Sequence, residues 1–408
     1  MKRMIAAAAA TAALLTACNL QVPDTTLVIS SDPKLGAQVA ELLPELAARA
    51  RMELVRPIRA ERKTREQLEA YILFKLDEEM SEEEAGNLTR AYSLVGLVEA
   101  DLDLRGLMMT VYQEQVAGFY DPDSTAFFLM EDMPEEDIQG VMIHELVHAV
   151  QDQTANLDSL TAEERGNDRR AAAQSAIEGH ATLIMMEYML EQLRGEPVAL
   201  TDLPDISQLL GQAMEAMRDQ YPALASAPAI VQEALLFPYL EGYSYVSALW
   251  ESRDGRPAPF GPHLPQSTEQ VLRPYLALGP EVDPPTDLEI EPVQGYETVY
   301  GNTFGQGEFR VLLREHLGPG ADTLANGWDG DRYALLRASD ETDGLVWVSV
   351  WDSVEERDRF LAGFRTAVEG FPAPATLVSS QVLGRPGAIL RVSIPESVPI
   401  RVREKSGS

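Results

Sequence analysis

Apolar positions through the first third of the chain recur at helical spacing. Leu35 to Leu54 reads as one amphipathic helix. Thr64 with Gln67, and Ser81 with Glu84, form capping boxes that open helices at about 65–79 and 82–98. A further helix is predicted over Leu102–Gln113. The period then shortens. Gln115–Tyr120 and Ala126–Met130 flank Asp121-Pro122-Asp123-Ser124, the pattern of two strands around a tight turn. Pro134 followed by Glu135, Glu136 and Asp137 opens another helix, with proline early and acids at its positive end. Ile138, Val141, Met142, Leu146 and Val150 form its apolar stripe. A second long helix is expected over Asp168–Leu193. Residues 201–250 read as helix interrupted by Pro222, Pro228 and Pro238, and 253–294, rich in Pro and Gly, as a surface wrap.

The last hundred residues differ in texture. A helix near Phe304–Leu317 precedes two strand-like runs, Tyr333–Ala338 and Leu345–Trp351. A helix over Val354–Val368 and strands over Thr376–Leu383 and Ala388–Ile394 complete a ββαββ-like unit. The predicted fold class is α+β, predominantly helical. Its expected divisions are a leader (1–17), a tether (18–33), a helical region (34–113), a central domain (114–300) and a C-terminal α+β domain (301–408).

Composition narrows the function. Acids outnumber bases 65 to 33 over 408 residues, a net charge of −32, so no nucleic-acid partner is expected. The one cysteine rules out an intrachain disulfide framework and a thiolate-rich zinc site. That cysteine closes the leader. Lys2 and Arg3 precede an apolar run, Met4–Leu15, too short to span a bilayer. The run ends in Leu15-Thr16-Ala17-Cys18, which resembles the lipobox of bacterial lipoproteins. The resemblance implies cleavage before Cys18, lipid on its sulfur, and an exported protein anchored to the envelope bilayer. A plain secreted protein is the alternative.

The chemistry is concentrated at His144-Glu145-Leu146-Val147-His148. Side chains four apart on a helix share a face, so both imidazoles can meet one metal while Glu145 stands beside it. A catalytic zinc needs a third ligand. With no cysteine to offer, that ligand is His, Asp or Glu, and His180, His263 and His316 remain among the histidines. The next long helix contains Ile177-Glu178-Gly179-His180, and here the sequence resembles the gluzincin zinc metallopeptidases. In that class a glutamate on a following helix completes the site, which implies Glu178 as third ligand. His180 competes, but the two project from different sides of the helix and cannot both face one metal. The chain after His148 lacks the Gly and His that metzincins require.

The resemblance extends to Val116–Pro122, Pro238–Tyr243, Ser267–Leu272 and Gly327–Tyr333, stretches similar to a group of exported, gluzincin-like bacterial proteins. It implies a zincin-like catalytic domain over 114–300 and cleavage of a peptide or protein substrate. Zn²⁺ would be held by His144, His148 and Glu178, with Glu145 as general base. Tyr243 is the first candidate for the oxyanion donor, with Tyr239, Tyr245 and His263 as alternatives. Asp152, one turn beyond His148, is expected to support a ligand imidazole or position the Glu178 helix. The strand ending near Met130 is expected to be a sheet edge able to pair with an extended peptide. Two other readings stay open: a binding lipoprotein with a structural or inactive metal site, and a metal-dependent hydrolase of a non-peptide amide or ester. Glu145 argues against the first, since a structural site has no use for an acid beside the metal.

Overall fold

The computed structural model describes residues 27–202 and 221–405. Cys18, the leader and part of the stretch expected to be helical over 201–250 lie outside the described residues. The chain folds as an α+β protein with two main sheets.

The first sheet has the order β1-β2-β4-β3, from Val28–Ile29, Ile58–Lys63, Ala126–Met130 and Gly118–Asp121. β2 runs parallel to β4, pairing Arg59 with Ala126 through Lys63 with Met130. Its sequence, Ile-Arg-Ala-Glu-Arg-Lys, carries only two apolar residues, Ile58 and Ala60, both buried; periodicity did not reveal it. The preceding helix α1 (Pro33–Ala50) is capped by Asp32 and stops short of the expected Leu54, with Arg51 in the left-handed region at φ 57°. β4 is buried at every position and lies between β2 and β3. The sheet edge is therefore β3, not the strand ending at Met130.

Helices α2 (Arg65–Glu79) and α3 (Glu82–Leu94) begin at the expected capping boxes, and α4 (Leu104–Gln115) follows. Tyr71 on α2 stacks on Phe119 at 4.4 Å between ring centroids, and Arg65 donates to the Val116 carbonyl at 2.7 Å. α2 is thereby fastened over β3. Helix α5 (Glu135–Ala155) packs its apolar stripe, Met142, Ile143, Leu146 and Val150, into a core shared with Leu35, Val39 and Leu43 of α1. Helix α6 (Asn167–Arg194) is 28 residues long. Helix α7 (Ala229–Ser252) runs unbroken through Pro238, whose ring is buried inside it; the expected interruption there does not occur.

Beyond the short helix α8 (Thr268–Leu272), a two-stranded pair joins β5 (Leu288–Ile290) to the distant β11 (Val402–Glu404). The second sheet is antiparallel, in the order β6-β7-β8-β10-β9, from Tyr296–Asn302, Trp328–Ala338, Asp343–Trp351, Arg385–Val392 and Ala375–Val382. β6 crosses the expected boundary at 301, and β7 begins five residues before the strand read from sequence. Helices α9 (Gly305–Leu317) and α10 (Val354–Glu369) contribute Phe309, Phe360 and Phe364 to a core with Trp347 and Trp351. That core also contains Ala91 and Tyr92 of α3 and Ile230 and Val231 of α7. The C-terminal unit is thus packed into the rest of the chain.

Candidate metal centre

His144 and His148 project from α5 toward Glu178 on α6. His144 Nε2 lies 3.0 Å from His148 Nε2 and 3.0 Å from Glu178 Oε2, and His148 Nε2 lies 3.3 Å from the same carboxylate oxygen. Three ligands bound tetrahedrally at about 2.0–2.1 Å would stand about 3.3–3.4 Å apart. The observed triangle is within a few tenths of an ångström of that, so the three atoms could hold a metal ion. Two imidazole nitrogens and a carboxylate oxygen, with no thiolate, form a donor set suited to a borderline divalent cation. The three side chains are only 10–13% exposed.

Electrostatics point the same way. Burial opposes ionisation of Glu178, but His148 and His144 beside it outweigh burial and hold its pKa well below the usual carboxylate range. Burial also opposes charge on His148, yet Glu178 and Glu145 raise its pKa to about 9. The cluster therefore keeps a proton where a cation would sit. Metal binding must displace it.

The tautomer of His148 is fixed from behind. Gln151, fully buried one turn later, donates through Nε2 to the Ile177 carbonyl at 3.0 Å and faces His180 Nδ1 at 3.2 Å. Because a carbonyl only accepts, the amide nitrogen must face Ile177, leaving Oε1 to accept from His148 Nδ1 at 2.9 Å. Once the Nε2 proton is displaced, His148 keeps its hydrogen on Nδ1 and presents a lone pair at Nε2. His180 is not a member of the triangle. It is completely buried, its ring in edge contact with Trp250 and Phe260, and burial lowers its pKa to about 3. It is a neutral acceptor behind Gln151.

Asp152 does not bond to a ligand imidazole, the first of the two roles expected for it. Its carboxylate pairs with Arg56, accepts from Tyr120 Oη at 2.8 Å and accepts from Leu157 N at 3.1 Å. It ties the end of α5 to β3 and to the approach to α6. Supporting the ligand imidazole falls to Gln151, which the sequence reading had passed over. An amide at i+3 from a candidate ligand was its only signal.

Glu145 is held at the sheet edge, where its Oε2 accepts from the Tyr120 backbone N–H at 2.9 Å. Burial raises its pKa, the neighbouring His148 and His144 oppose that rise, and Glu178 adds to it. Alternation along β3 explains the contact. Met130 N donates to Ala117 O, so odd positions face β4 and the backbones of Gly118 and Tyr120 point outward.

α6 and α7 meet backbone to backbone beside the cluster. A methyl group on Gly179 would come 2.1 Å from the Gly242 carbonyl, and one on Gly242 would come 2.1 Å from Ser175 O. Ser175 and Gly179, on either side of Glu178, thus serve the α6–α7 crossing. The crossing brings Tyr239 to the site. Its ring stacks 5.9 Å from His144, and burial, then the charges of Glu178 and Glu145, push its hydroxyl pKa well above the usual value. Tyr243, the expected donor, sits one turn further along, 7% exposed within the apolar core. Tyr245 donates to the His263 carbonyl at 2.7 Å.

Among known families, one described as a domain of unknown function, DUF8575, matches residues 293–392. That span covers the second sheet with α9 and α10, away from the His–His–Glu cluster. No curated protein and no solved structure matches the chain.

Proposed function

We propose that the protein is a zinc-dependent peptide-bond hydrolase of the gluzincin kind, exported and anchored through acylated Cys18. The observation that carries the hydrolase reading is the triangle of His144, His148 and Glu178, with Glu145 of α5 fixed beside it by the backbone of the edge strand β3. Support for export and anchoring is confined to the leader sequence; no helix among the described residues is long and apolar enough to cross a membrane.

His144, His148 and Glu178 would hold the zinc. When bound, zinc supplies Lewis acidity toward the scissile carbonyl and lowers the pKa of water toward about 7. The protein's own groups do the rest. Tyr120 N–H holds Glu145 where it can take a proton from the attacking water and pass it to the leaving amine. Tyr239, kept protonated by its raised pKa, donates to the oxygen that becomes anionic as the carbonyl is attacked. The outward-facing N–H and carbonyl of Gly118 and the carbonyl of Tyr120 offer hydrogen bonds to an extended substrate.

The test is metal analysis of purified protein together with cleavage of a peptide library. Wild type should bind about one zinc per chain and cleave. Glu145→Gln should retain the metal and lose cleavage. Equal cleavage by both proteins would refute the assignment of Glu145, and loaded protein that cleaves no peptide would refute the peptidase reading.

A further inference from the structure

We propose a second, independent site: a binding pocket for a phosphate-type oxyanion at the amino-terminal end of α6, between that helix and the C-terminal unit. A cavity of about 40 Å³ lies there. It has room for about three waters or one tetrahedral oxyanion. In a chain where acids outnumber bases about two to one, this small space is lined by Arg165, Arg169, Arg332 and Lys405.

The cations are incompletely neutralised. Arg169 pairs with Asp287 at 2.8 Å, and Arg332 donates to the Gly301 carbonyl at 3.0 Å. Neither Arg165 nor Lys405 has an ion pair within 4.0 Å among the described residues, and Arg165 Nε is buried with no partner. Burial and the adjacent Arg169 both weigh against its charge. The other two acids lining the cavity are occupied. Asp168 accepts from Thr268 N at 2.9 Å, and Asp331 accepts from Phe304 N and Gly305 N at 3.0 Å and from Trp347 Nε1 at 2.7 Å.

A second kind of observation points to a ligand. Trp328 lines the cavity, is 1% exposed, and its indole N–H has no acceptor. A buried donor left unmet costs about 1–3 kcal/mol, so buried N–H groups rarely lack a partner. Gly166, the residue before α6, contributes no side-chain cap; the first two amides of the helix are met instead by Asn302 Oδ1 at 2.9 Å and Thr303 Oγ1 at 3.3 Å, so the helix end adds nothing to the donors of the cavity. Guanidiniums, an ammonium and an indole N–H offer more donors than the two oxygens of a carboxylate can use. A phosphate dianion can accept them all. Inorganic phosphate and a phosphate monoester share this chemistry.

The experiment uses the protein without its leader and titrates it calorimetrically at constant ionic strength with inorganic phosphate, glycerol phosphate, acetate or chloride. Phosphate should bind once per chain, at least tenfold more tightly than acetate, and raise the melting temperature. Arg165→Gln should weaken binding at least tenfold, and Arg332→Gln should weaken it too, while Arg194→Gln at the opposite end of α6 should not. Tighter binding of glycerol phosphate would identify an ester as the occupant, and binding of phosphate alone a free ion. The proposal is overturned if wild type shows no preference for phosphate over chloride and acetate up to about 10 mM. It is also overturned if Arg165→Gln, folded by circular dichroism, binds phosphate like wild type.

Discussion

Replacing Gln151 by Leu removes the side chain that fixes the His148 tautomer while nearly conserving volume. Three contacts go with it: to His148 Nδ1, to the Ile177 carbonyl and to His180 Nδ1. At a net value of about 1 kcal/mol each, the stability loss is about 3 kcal/mol. Metal affinity should fall for a separate reason. Without an acceptor at Nδ1, His148 is free to carry its hydrogen on Nε2, the atom that faces Glu178 and His144. Losing such a partner costs typically 10–100-fold in affinity, about 1.4–2.7 kcal/mol. Competition against a fluorescent zinc chelator at fixed pH measures this directly, and urea unfolding of the metal-free protein measures the stability change. Asp152→Asn is the matched control. Asp152 bonds Arg56, Tyr120 and Leu157 and touches neither imidazole, so its replacement should lower stability and leave zinc affinity within twofold. A Gln151→Leu protein within twofold of wild type in affinity would refute the tautomer argument. So would an equal loss in Asp152→Asn.

Three further outcomes follow from the same geometry. Because His148 has a pKa of about 9 without metal, zinc uptake between pH 7 and 8 should release about one proton, read as the dependence of calorimetric heat on buffer ionisation enthalpy; affinity should rise with pH until about 9. Gly242→Ala should force α6 and α7 apart by about 1 Å, cost about 1–3 kcal/mol in stability and weaken zinc binding; a melting temperature and zinc affinity equal to wild type would contradict the close crossing. Burial raises the pKa of Asp168 to about 7 and, despite bonds from Tyr92 and Asn167, that of Glu308 to about 8. The folded state therefore binds more protons than the unfolded state between about pH 4 and 8, so stability should fall as pH rises through that window; a urea midpoint higher at pH 8 than at pH 5.5 would count against it.

The elements recovered from sequence are those whose signal is local. Capping boxes at Thr64 and Ser81 pair a side chain with a backbone three residues away, and both mark true helix starts. The strands that escaped notice depend on distant partners. β2 has four charged residues in six and becomes a strand through its pairing with β1 and β4, the latter more than sixty residues later in the chain. β5 falls in the stretch read as a Pro- and Gly-rich wrap and β6 in a stretch given no element, yet β5 pairs with a strand near the carboxyl end and β6 extends the second sheet. Pro238 misled in the opposite direction. Its local effect is to break a helix, and burial against the surrounding core holds α7 together through it.

The candidate site divides along the same line, which bears on how much weight each residue should carry. His144 and His148 share one helix face with Glu145 beside it, so their convergence is a property of little more than one helical turn. Glu178 required a second helix, and resemblance brought it forward before any contact was visible. Tyr239 and Tyr243 illustrate what spacing cannot decide. They lie one turn apart on α7, and the helix must be rotated into its crossing with α6 at Gly179 and Gly242 before Tyr239 comes against His144 and Glu178. Both glycines had been visible in the sequence, inside Glu178-Gly179-His180 and Glu241-Gly242-Tyr243. What they encode is the interhelical distance, and that distance sets which tyrosine reaches the cluster. Ala at either position tests this more sharply than removal of a tyrosine does, since it shifts the hydroxyl without deleting it.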